Sequence, residues 1–166
     1  VPGVMNTRAQ TYTNVDAHLR GASINGSTAL SSRLSLTGSA TYVRGTQDPV
    51  EELGIYSTNI PEMPPLSARI ALRWQNTKFF AEAEGIGAGR QNRVDEDLNE
   101  SPTPGWAIMN LKAGHSWGRL RVQAVLANIF NRDYHEHFSY LRNPYRSGYV
   151  INEPGRNLSI TVGWTY

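Results

Sequence analysis

Asn157-Leu158-Ser159-Ile160-Thr161-Val162-Gly163-Trp164-Thr165-Tyr166 closes the chain and alternates almost without fault. Leu158, Ile160, Val162, Trp164 and Tyr166 take one side, and Asn157, Ser159, Thr161, Gly163 and Thr165 take the other. A period of two marks a β-strand, whose successive side chains point to opposite faces. One face is aliphatic in its middle and aromatic at one end; the other is small and polar. That is the pattern of a strand in a membrane-spanning barrel.

Working back from this strand, the same alternation recurs. Leu120, Val122, Ala124 and Leu126 share a side, as do Met109, Leu111, Ala113 and His115. So do Leu66, Ala68, Ile70, Leu72 and Trp74, and Leu34, Leu36, Gly38, Ala40 and Tyr42. The segment from Phe79 to Arg90 alternates less cleanly, with Phe79, Ala81 and Ala83 opposed by Glu82 and Glu84. Val15, Ala17 and Leu19 begin a further run whose phase slips near Gly21-Ala22, as a bulge would cause. The pattern predicts seven strands. Asn25-Gly26 is a two-residue hairpin signal inside the first of them; a turn there would split that strand and make the count even.

The connections are as informative as the strands. Ser31-Ser32-Arg33, Asn76-Thr77-Lys78 and Gly118-Arg119 are very short, while Thr46 to Pro65, Gln91 to Gly105 and Asn131 to Pro154 are long. Short and long alternate strictly. Tight turns at one end and long loops at the other match an antiparallel meander closed as a transmembrane β-barrel. A soluble β-sandwich mixes hairpins and crossing connections at both ends. Seven is an odd number, and bacterial single-chain barrels use an even one. The expectation is therefore an all-β segment of a larger barrel, entering from outside and ending at the periplasm.

Bulk properties fit. Of the 166 residues, 39% are hydrophobic, and the mean hydropathy is −0.45. Barrel strands give only alternate residues to lipid, so their hydropathy signal is weak. No apolar run approaches the roughly 18 residues of a spanning helix. The chain has no cysteine, so thiol and disulfide chemistry are absent. Val1-Pro2-Gly3-Val4 has neither the basic start nor the apolar core of a secretory signal. The formal net charge is +2 and the cations are dispersed, which argues against a nucleic-acid surface.

Specific residues carry a family resemblance. Leu126-Ala127-Asn128-Ile129-Phe130-Asn131-Arg132-Asp133-Tyr134 resembles the "N-(L/I)-F-(N/D)-x-x-Y" element on the penultimate strand of TonB-dependent outer-membrane receptors. Glu153-Pro154-Gly155-Arg156-Asn157 resembles their "PGR" lead into the last strand, and Trp164-Thr165-Tyr166 their closing signature. Ile60-Pro61-Glu62-Met63-Pro64-Pro65-Leu66, followed by Ala68-Arg69, is similar to their "P-x-x-P-P" loop-to-strand element, and Tyr12-Thr13-Asn14-Val15-Asp16 to "Y-x-N-V/I". The elements stand in family order along nearly the whole chain.

The resemblance implies strands sixteen to twenty-two of a 22-stranded barrel in a Gram-negative outer membrane, with long loops extracellular and the C-terminus periplasmic. It implies a plug domain and a TonB-engaging segment outside this chain, and partners in lipid, lipopolysaccharide, the rest of the barrel and the TonB complex. It also implies that Trp164 and Tyr166 are read by the barrel assembly machinery. The implied function is uptake of a scarce ligand, foremost an iron chelate, with copper or a vitamin-like compound next. No bond chemistry and no resident cofactor are implied.

Candidate contacts cluster toward the last long loop. His135 and His137 would point the same way on a strand and could share a metal, although two ligands are too few for a site. Tyr140, Arg142, Tyr145 and Arg146, with Phe138 and Tyr149, offer aromatic and cationic contacts to an anionic, aromatic chelate. An aromatic girdle with arginines facing lipopolysaccharide is the plainer reading. Met63 and Met109 could serve a soft metal or simply fill space. Asp95, Glu96, Asp97 and Glu100 read as a solvated loop face or a calcium site. Arg69, Arg73, Glu82, Glu84 and Lys112 fall on the lumenal side of their strands, where opposite charges can pair. Gly85-x-Gly87-x-Gly89 precedes no helix pattern and is not a nucleotide loop, and no hydrolase motif is present. Two other classes stay open: a small autonomous structural or adhesion barrel, and a soluble carbohydrate-binding β-sandwich.

Overall fold

A computed structural model describes residues 14–139 and 150–166. They form one antiparallel sheet in strict chain order: β1 (Ala17–Ala29), β2 (Leu34–Gln47), β3 (Ser67–Gln75), β4 (Phe79–Ala88), β5 (Trp106–Trp117), β6 (Leu120–Ala127) and β7 (Asn157–Trp164). Each strand pairs only with its sequence neighbours. The outer edges of β1 and β7 do not meet, so the sheet is an open wall.

The tight turns have local chemical causes. Ser31 Oγ accepts from the amides of Arg33 and Leu34, closing β1–β2. Asn76 Oδ1 does the same for Lys78 and Phe79, closing β3–β4. These Ser and Asn side chains stand in for backbone carbonyls. The β5–β6 turn needs Gly118, whose φ is +59, a region that a side chain disfavours.

Register fixes the faces. From β7 to β2, Ile160 lies opposite Ala124, Ala124 opposite Ala113, Ala113 opposite Ala81, Ala81 opposite Trp74, and Trp74 opposite Leu34. All belong to a continuous apolar face. Near the tight-turn end that face carries an aromatic row, in which Trp74 meets Phe79, Phe79 meets His115, and His115 stacks on Trp117 at 4.1 Å between ring centroids. The opposite face is polar.

Only Ala71 and Val94 are buried hydrophobic residues among those described, and Ile160 is 64% exposed. A water-soluble sandwich would hide its apolar faces between two sheets. This chain has a single layer with its aliphatic side bare, which removes the soluble-sandwich alternative. Among the described residues the seven strands stand in line with two unpaired edges, so the sheet is not closed as the autonomous-barrel alternative requires.

Two expectations for β1 resolve differently. Asn25-Gly26 is not a turn: Gly26 pairs with Gly38 in mid-strand. Nor is there a bulge near Gly21-Ala22, since pairing runs unbroken from Ala17↔Gln47 to Ala29↔Ser35. The apparent phase slip arises because Leu19 sits on the polar-face parity near the long-loop end, while Ala22, Ile24 and Gly26 sit on the apolar face. Hydrophobicity changes sides along the strand without any change of geometry.

Two outcomes follow. Ile160→Arg should lower folding stability in liposomes by about 2–4 kcal/mol, as a cation facing the bilayer centre does, whereas the adjacent Thr161→Arg should be far milder. Equal losses in a urea titration would reverse the face assignment. Residues 1–166 expressed alone should give no heat-modifiable, monomeric closed barrel on gels, because each unsatisfied backbone group at an open edge costs several kcal/mol in lipid.

Candidate functional site

The polar face holds a charge ladder across β3, β4 and β5. Glu82 lies opposite Arg73 on one side and Lys112 on the other, so register alone brings the three together. Arg73 Nη1 and Lys112 Nζ each stand 3.1 Å from a Glu82 oxygen. Glu84 pairs with Arg69, accepts from Asn110 Nδ2 at 3.0 Å, and lies 2.9 Å from Lys112 Nζ. Three cations thus share two carboxylates. Below the ladder, toward the tight turns, lies an open recess of about 460 Å³ that also meets Lys78 and Arg121. Arg73 lies 3.9 Å above the Phe80 ring. That ring covers Gly114, where an added Cβ would collide with it. Strand alternation alone predicts these charges on one side; their mutual pairing follows from the register.

The three long connections meet at the other end. Residues 48–66 and 89–105 are joined by carboxylates that accept backbone N–H groups. Asp97 Oδ2 accepts from Tyr56 at 2.7 Å and Ser57 at 2.6 Å, and Asn59 Nδ2 donates to the Val94 carbonyl at 3.2 Å. Gln91, 1% exposed, donates to the Met63 carbonyl at 2.6 Å. Glu100 is the hub. One of its oxygens accepts from the Glu62 amide at 2.8 Å, the other from the Asp95 amide at 2.7 Å.

His137 brings the third connection to that hub. Its Nε2 lies 3.1 Å from Glu100 Oε1 and its Nδ1 3.0 Å from Thr103 Oγ1. Burial pushes the Glu100 carboxyl up, but the bonds from His137 and the Asp95 and Glu62 amides outweigh it and hold the pKa below the usual value. Asp95, packed inside the same cluster, is raised chiefly by burial.

Several expected site residues change role here. Asp95 and Glu100 are buried and bind backbone amides, and Asp97 spends an oxygen on Tyr56 and Ser57, so only Glu96 reads as a solvated acid without such a bond. His135 and His137 are not on a strand: β6 ends at Ala127, and His137 opens a 3-10 turn, His137–Ser139. His137 is buried with both ring nitrogens engaged, while His135 is half-buried. Among the described residues no three His, Asp or Glu side chains are grouped as metal ligands would be. Met63 lies in the first long connection and Met109 on the apolar face opposite Gly85, so the structure does not bring them together. Tyr140, Arg142, Tyr145 and Arg146, like Tyr149 and the Tyr12-Thr13 pair, lie outside the described residues. Trp164 ends β7 and Tyr166 is fully exposed.

A junction that sequence spacing did not expose joins two of the quoted motifs. Asn128, 2% exposed with φ +49, follows the end of β6. Its side chain bonds the Arg132 amide at 2.9 Å and the Arg132 carbonyl at 2.8 Å, and reaches the Pro154 carbonyl at 3.4 Å. Its own amide donates to Asn110 Oδ1, linking the junction to the charge ladder. Asn131 Oδ1 accepts from the Arg156 amide at 2.9 Å. A Cβ on Gly155 would lie 2.8 Å from that oxygen, so glycine is needed between Pro154 and Arg156. The two motifs are the halves of one clamp that starts β7 in register with β6.

Alternating turns and loops, a bare apolar face and a charged opposite face define the wall of a transmembrane β-barrel. The family model "TonB dependent receptor-like, beta-barrel" matches residues 1–131, and the chain belongs to that family of outer-membrane proteins. Among solved structures it is similar to the copper transporter OprC, with a TM-score of 0.80 and 22% identity over 93% of this chain and 24% of that one. It is similar as well to the ferric yersiniabactin uptake receptor FyuA from Yersinia pestis, with a TM-score of 0.69 and 13% identity over 90% and 24%. The ferric-catecholate import receptor Fiu from K12 E. coli gives 0.64 and 16% over 96% and 22%. At these identities the likeness is one of fold, and the chain spans about a quarter of each structure's length. No curated protein matches it by sequence. The matches are transport receptors and not enzymes.

The hub yields a prediction. Glu100→Ala should leave the Glu62 and Asp95 amides without acceptors, at about 1–3 kcal/mol of local stability per buried donor. Hydrogen exchange should accelerate in residues 48–66 as well as 89–105. For the wild type, a depressed carboxylate pKa means that Glu100's contribution is fully present above the ordinary value of 4.5 and lost as pH falls below it. Exchange in both segments should therefore rise on acidification below that point. Acceleration confined to residues 89–105 would remove Glu100 as a hub.

Proposed function

We propose that this chain forms the last seven strands of a 22-stranded receptor barrel, and that the receptor imports a scarce iron chelate with energy delivered through TonB. The plug domain and the TonB-engaging segment belong to other parts of the same receptor. The long connections face the cell exterior, the tight turns and Tyr166 face the periplasm, and the apolar face meets lipid. The observation that carries this reading is the fusion of all three long connections at one end of the wall by buried polar bonds. A surface built that way is rigid enough to present a ligand-recognising rim, and its charged lumenal face can seat a polar plug.

Within that reading, Tyr140, Arg142, Tyr145 and Arg146 contact the chelate. Arginine gives forked ion pairs to anionic oxygens and the tyrosines give stacking. His135 contributes at the rim. His137 ties the start of the third long connection to the other two through Glu100 and Thr103. Trp164 and Tyr166 form the signal read by the assembly machinery. Copper is the weaker reading for this segment: the OprC likeness favours it, but Met63 and Met109 lie apart.

Two measurements test this. Cysteine at Glu51 or Glu96 should react with an impermeant reagent on intact cells, and cysteine at Thr77 should not. Arg142→Gln with Arg146→Gln should lower uptake of a radiolabelled iron chelate about tenfold or more, with surface expression and the heat-modifiable band unchanged. Labelling at Thr77 would invert the topology. Unaltered uptake in the double variant, or uptake that survives loss of TonB, would reject the transport reading.

A further inference from the structure

The seven strands keep their apolar face almost free of charge. Followed by register, its positions from β3 to β7 hold no Lys, Arg, Asp or Glu at all. The two exceptions in the whole sheet are Arg20 on β1 and Arg44 on β2, and they stand directly opposite each other. Two like charges paired across strands repel and destabilise the sheet. Both residues are exposed, and neither has a carboxylate partner among the described residues. The nearest acids along the two strands, Asp16 and Asp48, stand four residues further out, roughly 13 Å at strand rise.

A third cation converges on the same place. Arg93, from the connection between β4 and β5, donates from Nη1 to Tyr42 Oη at 2.6 Å, and its guanidinium lies 5.0 Å from the Tyr42 ring centroid. Tyr42 precedes Arg44 by one step on the apolar face and lies opposite Ala22. Arg93 thus contacts Tyr42, and the facing pair Arg20 and Arg44 stands one same-face step further out, with no ion-pair partner to either among the described residues.

Height along the wall identifies what belongs there. The aromatic row at the tight-turn end passes through Trp74, which pairs with Leu34. From Leu34 to Arg44 is ten residues along β2. At about 3.3 Å per residue and a tilt near 40°, that is a rise of roughly 25 Å, the height of a barrel's apolar band. Arg20 and Arg44 thus sit at the far border of the band. Beneath them Ala22, Ile24 and Gly26 pair with Tyr42, Ala40 and Gly38 in a ladder of mostly small side chains that acyl chains can lie against.

We infer that Arg20, Arg44 and Arg93 form a binding site for the phosphate of an outer-leaflet lipid headgroup, with Tyr42 at its floor. A phosphate between the two facing arginines turns their repulsion into shared, charge-assisted hydrogen bonds. Arg93 belongs to the connection that carries Glu100, so a bound headgroup touches the fused loop surface as well as the wall. The inference rests on the barrel reading above, in which this face meets lipid.

The test uses the complete receptor polypeptide in nanodiscs of phosphatidylcholine, alone or mixed with diphosphoryl lipid A or its dephosphorylated form. Native mass spectrometry reads the lipid retained. The wild type should retain the diphosphoryl form about tenfold over the dephosphorylated one, and Arg20→Gln with Arg44→Gln should abolish that preference. Arg20→Lys with Arg44→Lys, which keeps the charge, should restore part of it, and Arg93→Gln alone should weaken it. Equal retention by wild type and the Gln pair, or equal retention of both lipid forms, overturns the site. Inorganic phosphate separates the two phosphate sources: displacement of the retained lipid by the free anion would assign the arginines to a soluble ligand and overturn the lipid site. Failure of the barrel reading itself would show differently, as loss of nanodisc insertion and heat-modifiable migration in wild type and variants alike.

Discussion

Cross-strand backbone hydrogen bonding is the constraint on which the rest depends. A single-layer sheet with a bare aliphatic face has no apolar core to hold it, and buried hydrophobic residues are almost absent from the described residues. In a bilayer no water is available to the backbone, so the strands must satisfy one another. Order, register and length therefore matter more here than packing. The three tight turns, each closed by a serine, an asparagine or a positive-φ glycine, keep neighbouring strands in phase. Before β7 the clamp of Asn128 and Asn131 on residues 154–156 sets the phase.

Fixed register is also what creates the charged interior surface. Glu82 finds Arg73 and Lys112 because β3, β4 and β5 present those positions side by side, and a slip of one residue would move a strand's whole polar set to the lipid side. The excess of cations over carboxylates leaves that surface positive near the recess lined by Lys78 and Arg121. A polar surface packed against it would complement it best with acidic groups.

Much of the wall was legible because alternation is a direct record of which side chain faces which medium. All seven strands, all three tight turns and the strand order follow from it. Leu19 misled because a strand continues past the apolar band, and outside that band hydrophobicity no longer reports the face. The loops were less legible. Aspartate and glutamate look alike in sequence whether they face water or accept a backbone amide, so the burial of Asp95 and Glu100 left no mark in composition. His135 and His137 read as a pair only if β6 runs on through them. The positive φ of Asn128 turns the chain out of the strand well before His135, and asparagine is among the residues that tolerate that conformation.

The loop cluster has a consequence for how such a surface can vary. Glu62, Asp95, Glu100, Thr103 and His137 come from three separate connections yet share a single set of acceptors and donors. Replacing one connection with that of a distant homologue would strand partners in the other two. Diversification at this end is thus channelled: the tips, such as Leu53, Tyr56 and Leu98, are free to drift, while the stems change only as a set. Substitutions at the tips would reshape this end of the sheet without touching the scaffold that holds it.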